Sequence, residues 1–429
     1  MELNINETLK ITTDIPLSRV TTFHMQWGVN DHACLELYGD ISYEAAVEYQ
    51  NKNCSGDRII VAYCGEQQEQ VLFNGLVRKS VISFERRCAQ IKVEGISATW
   101  KLDISKKFRS FQDKDMTYAA LAKKIADYTG TSVISLIGKN TKILKPLIQY
   151  QETDWEFLRR ISSHLNKFIL CDVLTGKPAF WFGMRNGKRV VLPAEHSYHS
   201  NFDPILKRQT YMINSKNVYQ IGDKVTFMGE DMIILRRECV FHGELIFTYT
   251  LGNESVLNQT MQYNCAVSGC GLLGKVIAVS GETLKIALEM DGNEECGEYW
   301  FFWRPETGNI MYAMPEVGSP VLLSIPENDE RCAIVSVCLH KEGALINLEQ
   351  SFSKRHLRTI EGSLIKLYPD ELEFSRNEGV HLLQLSDGNI LCKTNKSIKI
   401  EARKNVYIKG ATASIKAPEG IDGVVGQEG

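Results

Sequence analysis

From Leu17 to about Ser105 the chain runs in short apolar and polar alternations, each closed by turn-forming residues. Leu35 and Leu37 flank Glu36, and Ile91 and Val93 flank Lys92, the period of a strand with one face buried and the other in water. Similar runs at 33–39, 58–63, 71–77 and 90–95 predict antiparallel strands at close spacing, hence a small barrel or sandwich.

Between Thr117 and Gly130 the period changes. Thr117 suits a helix N-cap, Leu121, Ile125 and Tyr128 fall on one side, and Gly130 can end the helix in the left-handed conformation. A strand at 132–136 follows, and a second at 146–150 leads into the segment 148–161. There Thr153 or Asp154 can cap a helix, with Glu152, Asp154 and Glu156 near its positive end. Trp155, Leu158, Ile161 and Leu165 then form one apolar stripe to about Asn166, which makes Trp155, Leu158 and Ile161 core candidates. Runs at 168–172 and 178–183, joined by the turn 175–177, predict two more strands. Helices and strands do not alternate long enough for a doubly wound sheet, so this stretch is expected to be an α+β insert.

Strand character returns from Ile205 to about Leu251, with Gly222 and Gly229 marking turns, and by itself predicts another small barrel. From Cys270 to Cys338 about five strands predict an oligonucleotide/oligosaccharide-binding (OB) barrel. The chain's one internal repeat comes last: Ile390, Ile398 and Val406 stand eight residues apart, as do Ile400 and Ile408. These apolar positions have nothing in the same short segment to cover them. Burial against copies of the same chain, as a trimeric β-prism or β-helix, is the economical solution.

The string Gln149-Tyr150-Gln151-Glu152-Thr153-Asp154-Trp155-Glu156-Phe157-Leu158-Arg159-Arg160 resembles the hub segment of the VgrG and phage late-control-D family, the central spike proteins of contractile injection machines. Phe73-Asn74-Gly75-Leu76-Val77 resembles a strand of that family's first hub barrel. The order Gly274-Lys275-Val276, Trp303-Arg304 and Met314-Pro315 to Val321 resembles its spike-base barrel. The resemblance implies a mainly β chain with an α+β insert: two hub β-barrels (1–105 and 191–265) around the insert (106–190), an OB-fold barrel (266–340), a linker (341–388) and a trimeric β-prism (389–429). It further implies a homotrimer at a baseplate centre, with Ile390, Ile398, Ile400, Val406 and Ile408 at the trimer interface. The implied partners are an inner tube protein, baseplate proteins, a PAAR-like tip cap and an effector cargo, with transient contact with a target membrane. Whether the machine is a phage tail, a bacteriocin, a type VI apparatus or an extracellular particle stays open.

The 429 residues are too many for one ordinary core, and the 44% apolar and 24% charged content is that of a folded protein. A formal charge of −3 gives no global attraction to nucleic acid. The N-terminus lacks a secretory pattern, so cytoplasmic manufacture and assembly is the expectation. Twelve cysteines are scattered without metal-binding spacing, mostly in apolar strand-like runs, and are expected to act as small reduced hydrophobes. His-Glu-x-x-His, Gly-x-Ser-x-Gly and phosphate-loop patterns are absent, and the interval 341–388 is too short for an added hydrolase domain. No catalytic residue, metal ligand or cofactor is assigned, and His196 with His199 lacks an obvious third ligand. The run Trp300-Phe301-Phe302-Trp303-Arg304 suggests a stacking platform for single strands, yet alternation must turn half of it inward and its surroundings are acidic. Packing is therefore the expectation there, with no nucleic-acid partner. The rival functions are a peptidoglycan-hydrolysing hub and an oligosaccharide- or nucleic-acid-binding barrel.

Overall fold

The computed structural model describes residues 2–6, 8–51, 56–65, 69–86, 88–192, 197–204, 207–292, 297–305, 313–339, 355–359, 362–376, 381–386, 388–394, 397–414, 416 and 420. It divides into a large unit, Met1–Lys341, and a smaller one, Glu342–Gly429.

The first part of the large unit consists of β1 (Glu2–Asn6), β2 (Leu9–Thr13), β3 (Arg19–Gly28), β4 (Cys34–Ile41), helix α1 (Tyr43–Gln50), β5 (Arg58–Cys64), β6 (Glu69–Glu85) and β7 (Cys88–Ser97). The insert carries β8 (Lys107–Phe111), α2 (Tyr118–Tyr128), β9 (Ser132–Ser135), β10 (Leu147–Glu152), α3 (Asp154–Ser163), β11 (Ile169–Cys171) and β12 (Ala179–Phe182). Next come β13 (Arg189–Val190), β14 (Tyr198–Asp203), β15 (Arg208–Ser215), β16 (Lys224–Phe227), β17 (Glu230–His242) and β18 (Glu244–Gly252).

The two hub segments share one 13-stranded sheet, ordered β1-β2-β5-β6-β7-β4-β3-β17-β18-β15-β14, with β16 on β17 and β13 on β16. The seam between them is antiparallel, running from Arg236 opposite Gly28 to Phe241 opposite Phe23. Alternation explains its inner face: Leu35, Leu37, Ile91 and Val93 are buried while Glu36 is exposed. At the seam Phe23 stacks on Phe241 with centroids 5.7 Å apart. Beside it Arg237 is wholly buried, lies 5.0 Å from the Trp27 ring and donates to the carbonyl of Leu72 at 2.7 Å.

Thr117 caps α2, accepting from the Ala120 N–H at 3.2 Å, and Gly130 follows the helix at φ 64°. Tyr128 departs from the expected apolar stripe. It is exposed and lies under the Arg109 guanidinium at 4.6 Å, because an aromatic face can cover a cation as readily as a core.

The five-stranded sheet of β19 (Gly271–Ser280), β20 (Thr283–Leu288), β21 (Phe301–Phe302), β22 (Pro320–Ser324) and β23 (Ile334–Cys338) is ordered β21-β20-β19-β22-β23. A bridge between Trp303 and Val335 brings its two edges together. Phe301 points into this barrel's core while Phe302 points out, the alternation expected for the aromatic run.

In the smaller unit β24 (Arg355–Arg358), β25 (Ser363–Leu367), β26 (Glu371–Arg376), β27 (His381–Ser386) and β28 (Asn389–Leu391) form a meander in that order. This corrects the expected linker at 341–388. His356, Lys366, Glu373 and Gln384 stand opposite one another across the strands, so a polar rank interrupts the apolar pattern that would have marked them. Among the described residues 397–414 of the single chain there is no strand.

Cysteine burial differs from expectation as well. Cys171 and Cys239 are buried, but Cys34, Cys88, Cys265, Cys332, Cys338 and Cys392 are exposed. A strand-like run places half its members on the wet face, where Cys34, Cys88 and Cys338 fall, while Cys265 and Cys332 lie in short helical turns.

Candidate functional site: the joint at residues 148–161

The segment that carries the family resemblance is the joint between the hub and the OB barrel. Strand β10 pairs with β8, and its successive side chains serve two cores. Leu147 belongs to the main core of the hub and insert, whereas Ile148 belongs to the core of the OB barrel. A strand turns neighbouring residues to opposite faces, so one strand seals both. The Asn264 amide, just ahead of the barrel, donates to the Tyr150 carbonyl at 2.8 Å.

The strand ends at a break in register between Tyr150 and Glu152, where Gln151 adopts φ 53°. Thr153 is the N-cap of α3. Its hydroxyl accepts from the Glu156 N–H at 3.1 Å, and the Glu156 carboxylate accepts from the Thr153 N–H at 2.9 Å. Asp154, the other candidate cap, instead pairs with Arg109. Gln149, fully buried, accepts from Arg109 at 2.7 Å and donates to Asp154 at 3.0 Å. Asp291 of the barrel accepts from the Ser110 N–H of β8 at 2.6 Å.

The structure places Trp155, Leu158 and Ile161 in the main core. The Trp155 indole donates to the Asn30 carbonyl at 3.0 Å, stacks on His32 at 4.4 Å and meets Phe180 edge-on at 6.0 Å. The helix thereby ties the insert to the first hub segment.

The opposite side of α3 carries Arg160, buried among charges. Its guanidinium donates to Glu152 at 2.7 and 2.8 Å, to Glu330 of the barrel at 2.6 Å and to the Ile148 carbonyl at 2.9 Å. Burial would push this cation toward neutrality, but Glu330 and Glu152 outweigh it and hold Arg160 above its ordinary value. Burial also raises the Glu152 carboxyl, against the pull of Arg160. Such a cluster is costly to desolvate and costly to break, so it specifies one relative placement of helix and barrel. His164, the C-cap residue, lies within hydrogen-bond reach of the Tyr118 hydroxyl at 3.3 Å. Burial first, then the charges of Arg160 and Arg331, push it down to about 4.

Sequence reading found the helix and its cap but not the cluster. Glu330 lies 170 residues from Arg160, and no local spacing signals their meeting. The five positions of the C-terminal repeat are not brought together within the chain: Ile390, Ile398, Ile400, Val406 and Ile408 are between 52% and 80% exposed. His199 stands exposed on β14, and His196 lies outside the described residues. Among the described residues no group of three or more His, Cys, Asp or Glu side chains could hold a metal ion.

The fold is similar to those of solved type VI secretion proteins, in line with the resemblance carried by 148–161. The E. coli c3393 protein, described as a component of the type VI secretion system structurally similar to the T4 bacteriophage tail proteins gp27 and gp5, is 12% identical. The match covers 76% of this chain and 98% of that one, with a TM-score of 0.56. A chain of the Francisella PdpA–VgrG complex in its half-lidded form is 11% identical over 90% of this chain and 87% of that chain, with a TM-score of 0.58. In the lidless form the values are 10%, 87%, 94% and 0.55. No profile of a protein family matches the sequence. No curated protein matches it by sequence.

Proposed function

We propose that this chain is the hub-spike protein of a contractile injection system, phage tail-like or type VI secretion-like. It acts as a homotrimer at the baseplate centre, connecting the inner tube to the membrane-piercing tip. The observation that carries this reading is the joint: one strand and one helix tie the shared core of hub and insert to the core of the OB barrel, as a part under axial load requires. The fold shared with tail and type VI proteins supports it. The role is structural rather than enzymatic, and no cofactor is needed.

The trimer is supported by the uncovered apolar positions Ile390, Ile398, Ile400, Val406 and Ile408, which symmetric closure would bury. Lys399 and Lys409 then alternate with them on the outer, wet face. The hub meets the inner tube and baseplate proteins, and the spike carries a PAAR-like tip cap, with effector cargo travelling on it. The chain is assembled in the cytoplasm and becomes part of a virion-like or secreted particle that touches the target membrane transiently.

Sedimentation equilibrium of the full-length protein tests the reading. The expected mass is three chains, and Ile398→Ser with Ile408→Ser should loosen the C-terminal association. A single-chain mass across the micromolar range would overturn it.

A further inference from the structure

We propose that the cleft between the insert and the OB barrel binds a short extended peptide that carries both a free ammonium and a free carboxylate group. The inference is independent of the trimer reading, because every residue it uses belongs to one chain.

The cleft has a volume of about 660 Å³, within the range of small-ligand sites. Lys107 and Arg109 of β8 and Lys124 of α2 line it from the insert, and Met290, Asp291 and Glu298 from the barrel. Part of this charge is already engaged within the protein. Arg109 pairs with Asp154, donates to Gln149 and lies over the Tyr128 ring, and Asp291 accepts from the Ser110 N–H. Lys107, Lys124, Asp113 and Glu298 differ: they line the same cleft, and none has an ion-pair partner among the described residues. Lys124 instead lies 5.7 Å from the Phe111 ring, and Asp113 accepts the Asp115 N–H at 2.8 Å. Two cations and two carboxylates thus face one cleft without neutralising each other.

Backbone recognition points to a peptide rather than another molecule with two charges. Among the described residues β8 has one strand partner, β10, and its other edge borders the cleft. There Asp291 takes the Ser110 N–H at 2.6 Å as the carbonyl of a neighbouring strand would. Peptides commonly bind by adding a strand to such an edge. Gln112 supplies a second backbone-like group. Its Nε2 donates to the Ile286 carbonyl at 3.3 Å and to the Ser110 hydroxyl at 3.2 Å, which fixes the amide, while its Oε1 is buried with no hydrogen-bond partner among the described residues. A buried acceptor without a donor is unfavourable, and an N–H of a peptide seated in the cleft supplies one.

Phe111, Met116 and Met290 give the cleft apolar surface for one peptide side chain, and Phe111 is held in place by stacking on Phe157 at 5.4 Å. The carboxylate end then meets Lys107 and Lys124, and the ammonium end meets Asp113 and Glu298. A ligand with a single charge would strip water from the cleft while leaving one pair of protein charges unmatched. Selectivity for both free ends follows from that penalty.

Titration of the full-length protein with four forms of the tripeptide Ala-Phe-Ala tests this: both ends free, N-acetylated, C-amidated, and blocked at both ends. The methyl NMR signals of Met116 and Met290, which line the cleft, locate the binding. The free-ended peptide is expected to bind with a dissociation constant of about 1 mM or tighter and to shift both signals. Each single block should weaken binding about tenfold, the loss of one charge-assisted contact. Lys107→Ala with Lys124→Ala should abolish the penalty of amidation, and Asp113→Asn with Glu298→Gln that of acetylation. No binding at about 10 mM peptide, equal affinity for the four forms, or binding that leaves both methyl signals unmoved would each overturn the inference. Should a variant fail to fold, the four-peptide series on the unaltered protein still decides.

Discussion

Removing the Glu330 carboxylate by Glu330→Ala should open the joint without dissolving the rest of the hub. Its oxygen accepts from Arg160 at 2.6 Å and from the Ile148 N–H at 3.3 Å. The variant loses a charge-assisted hydrogen bond worth about 1.5–3 kcal/mol and orphans a buried N–H at a cost of about 1–3 kcal/mol. Arg160 keeps its two bonds to Glu152, and the repulsion between the two buried carboxylates disappears, which offsets part of the loss. The net cost is therefore about 2–4 kcal/mol, near the low end for breaking a buried pair from one side. Global unfolding of a multidomain chain is not two-state, so the readout is native-state hydrogen exchange at the amides of β10 and α3 compared with those of β4 and β7. Protection should fall at the joint and stay unchanged in the hub sheet. Glu330→Gln keeps the shape and one acceptor, and should lose clearly less. Equal exchange in both variants and the unaltered protein would refute the assignment of Glu330 as the barrel's anchor on α3.

Two further perturbations test the same region. Trp155→Ala should cost about 3–5 kcal/mol and sharply reduce soluble protein, since it removes a buried indole packed on His32 and Phe180; a fully folded variant by circular dichroism and melting would show the side chain is not core. His164, held down to about 4 by burial and the neighbouring arginines, stays neutral in the fold while the unfolded chain takes up its proton near 6.5. Its contribution is therefore complete above pH 6.5 and is lost as pH falls toward 4, by at most about 3 kcal/mol. Burial-raised Glu152 works in the opposite sense at acid pH, so the quantity to measure is the difference between the unaltered protein and His164→Gln in joint exchange from pH 7.5 to 4.5. That difference should change only across this window, and a flat one would refute the account.

The joint helix was legible in the sequence because everything that defines it is local. Thr153 and Glu156 are three residues apart, and Trp155, Leu158 and Ile161 repeat at the helical period, so cap and stripe declare themselves before any tertiary contact forms. The strands of the hub and of the OB barrel were legible for the same reason: Leu35 and Leu37 around Glu36 reveal a wet and a dry face. The choice between Thr153 and Asp154 was not local. Asp154 is drawn away by Arg109, a residue 45 positions earlier.

What only the tertiary structure decided is where each dry face goes. Leu147 and Ile148 are adjacent and equally apolar, yet they enter different cores, and no periodicity says that a second core lies on the far side. Arg160 reads as the polar side of an amphipathic helix and is instead buried, because Glu330 arrives from 170 residues away to pair with it. The meander from Arg355 to Leu391 was hidden because its polar rank of His356, Lys366, Glu373 and Gln384 breaks the apolar alternation that marks strands elsewhere. Local patterns determine which elements form. Charge pairing and burial between residues remote in sequence determine which surfaces meet, and that information exists only once the chain has folded.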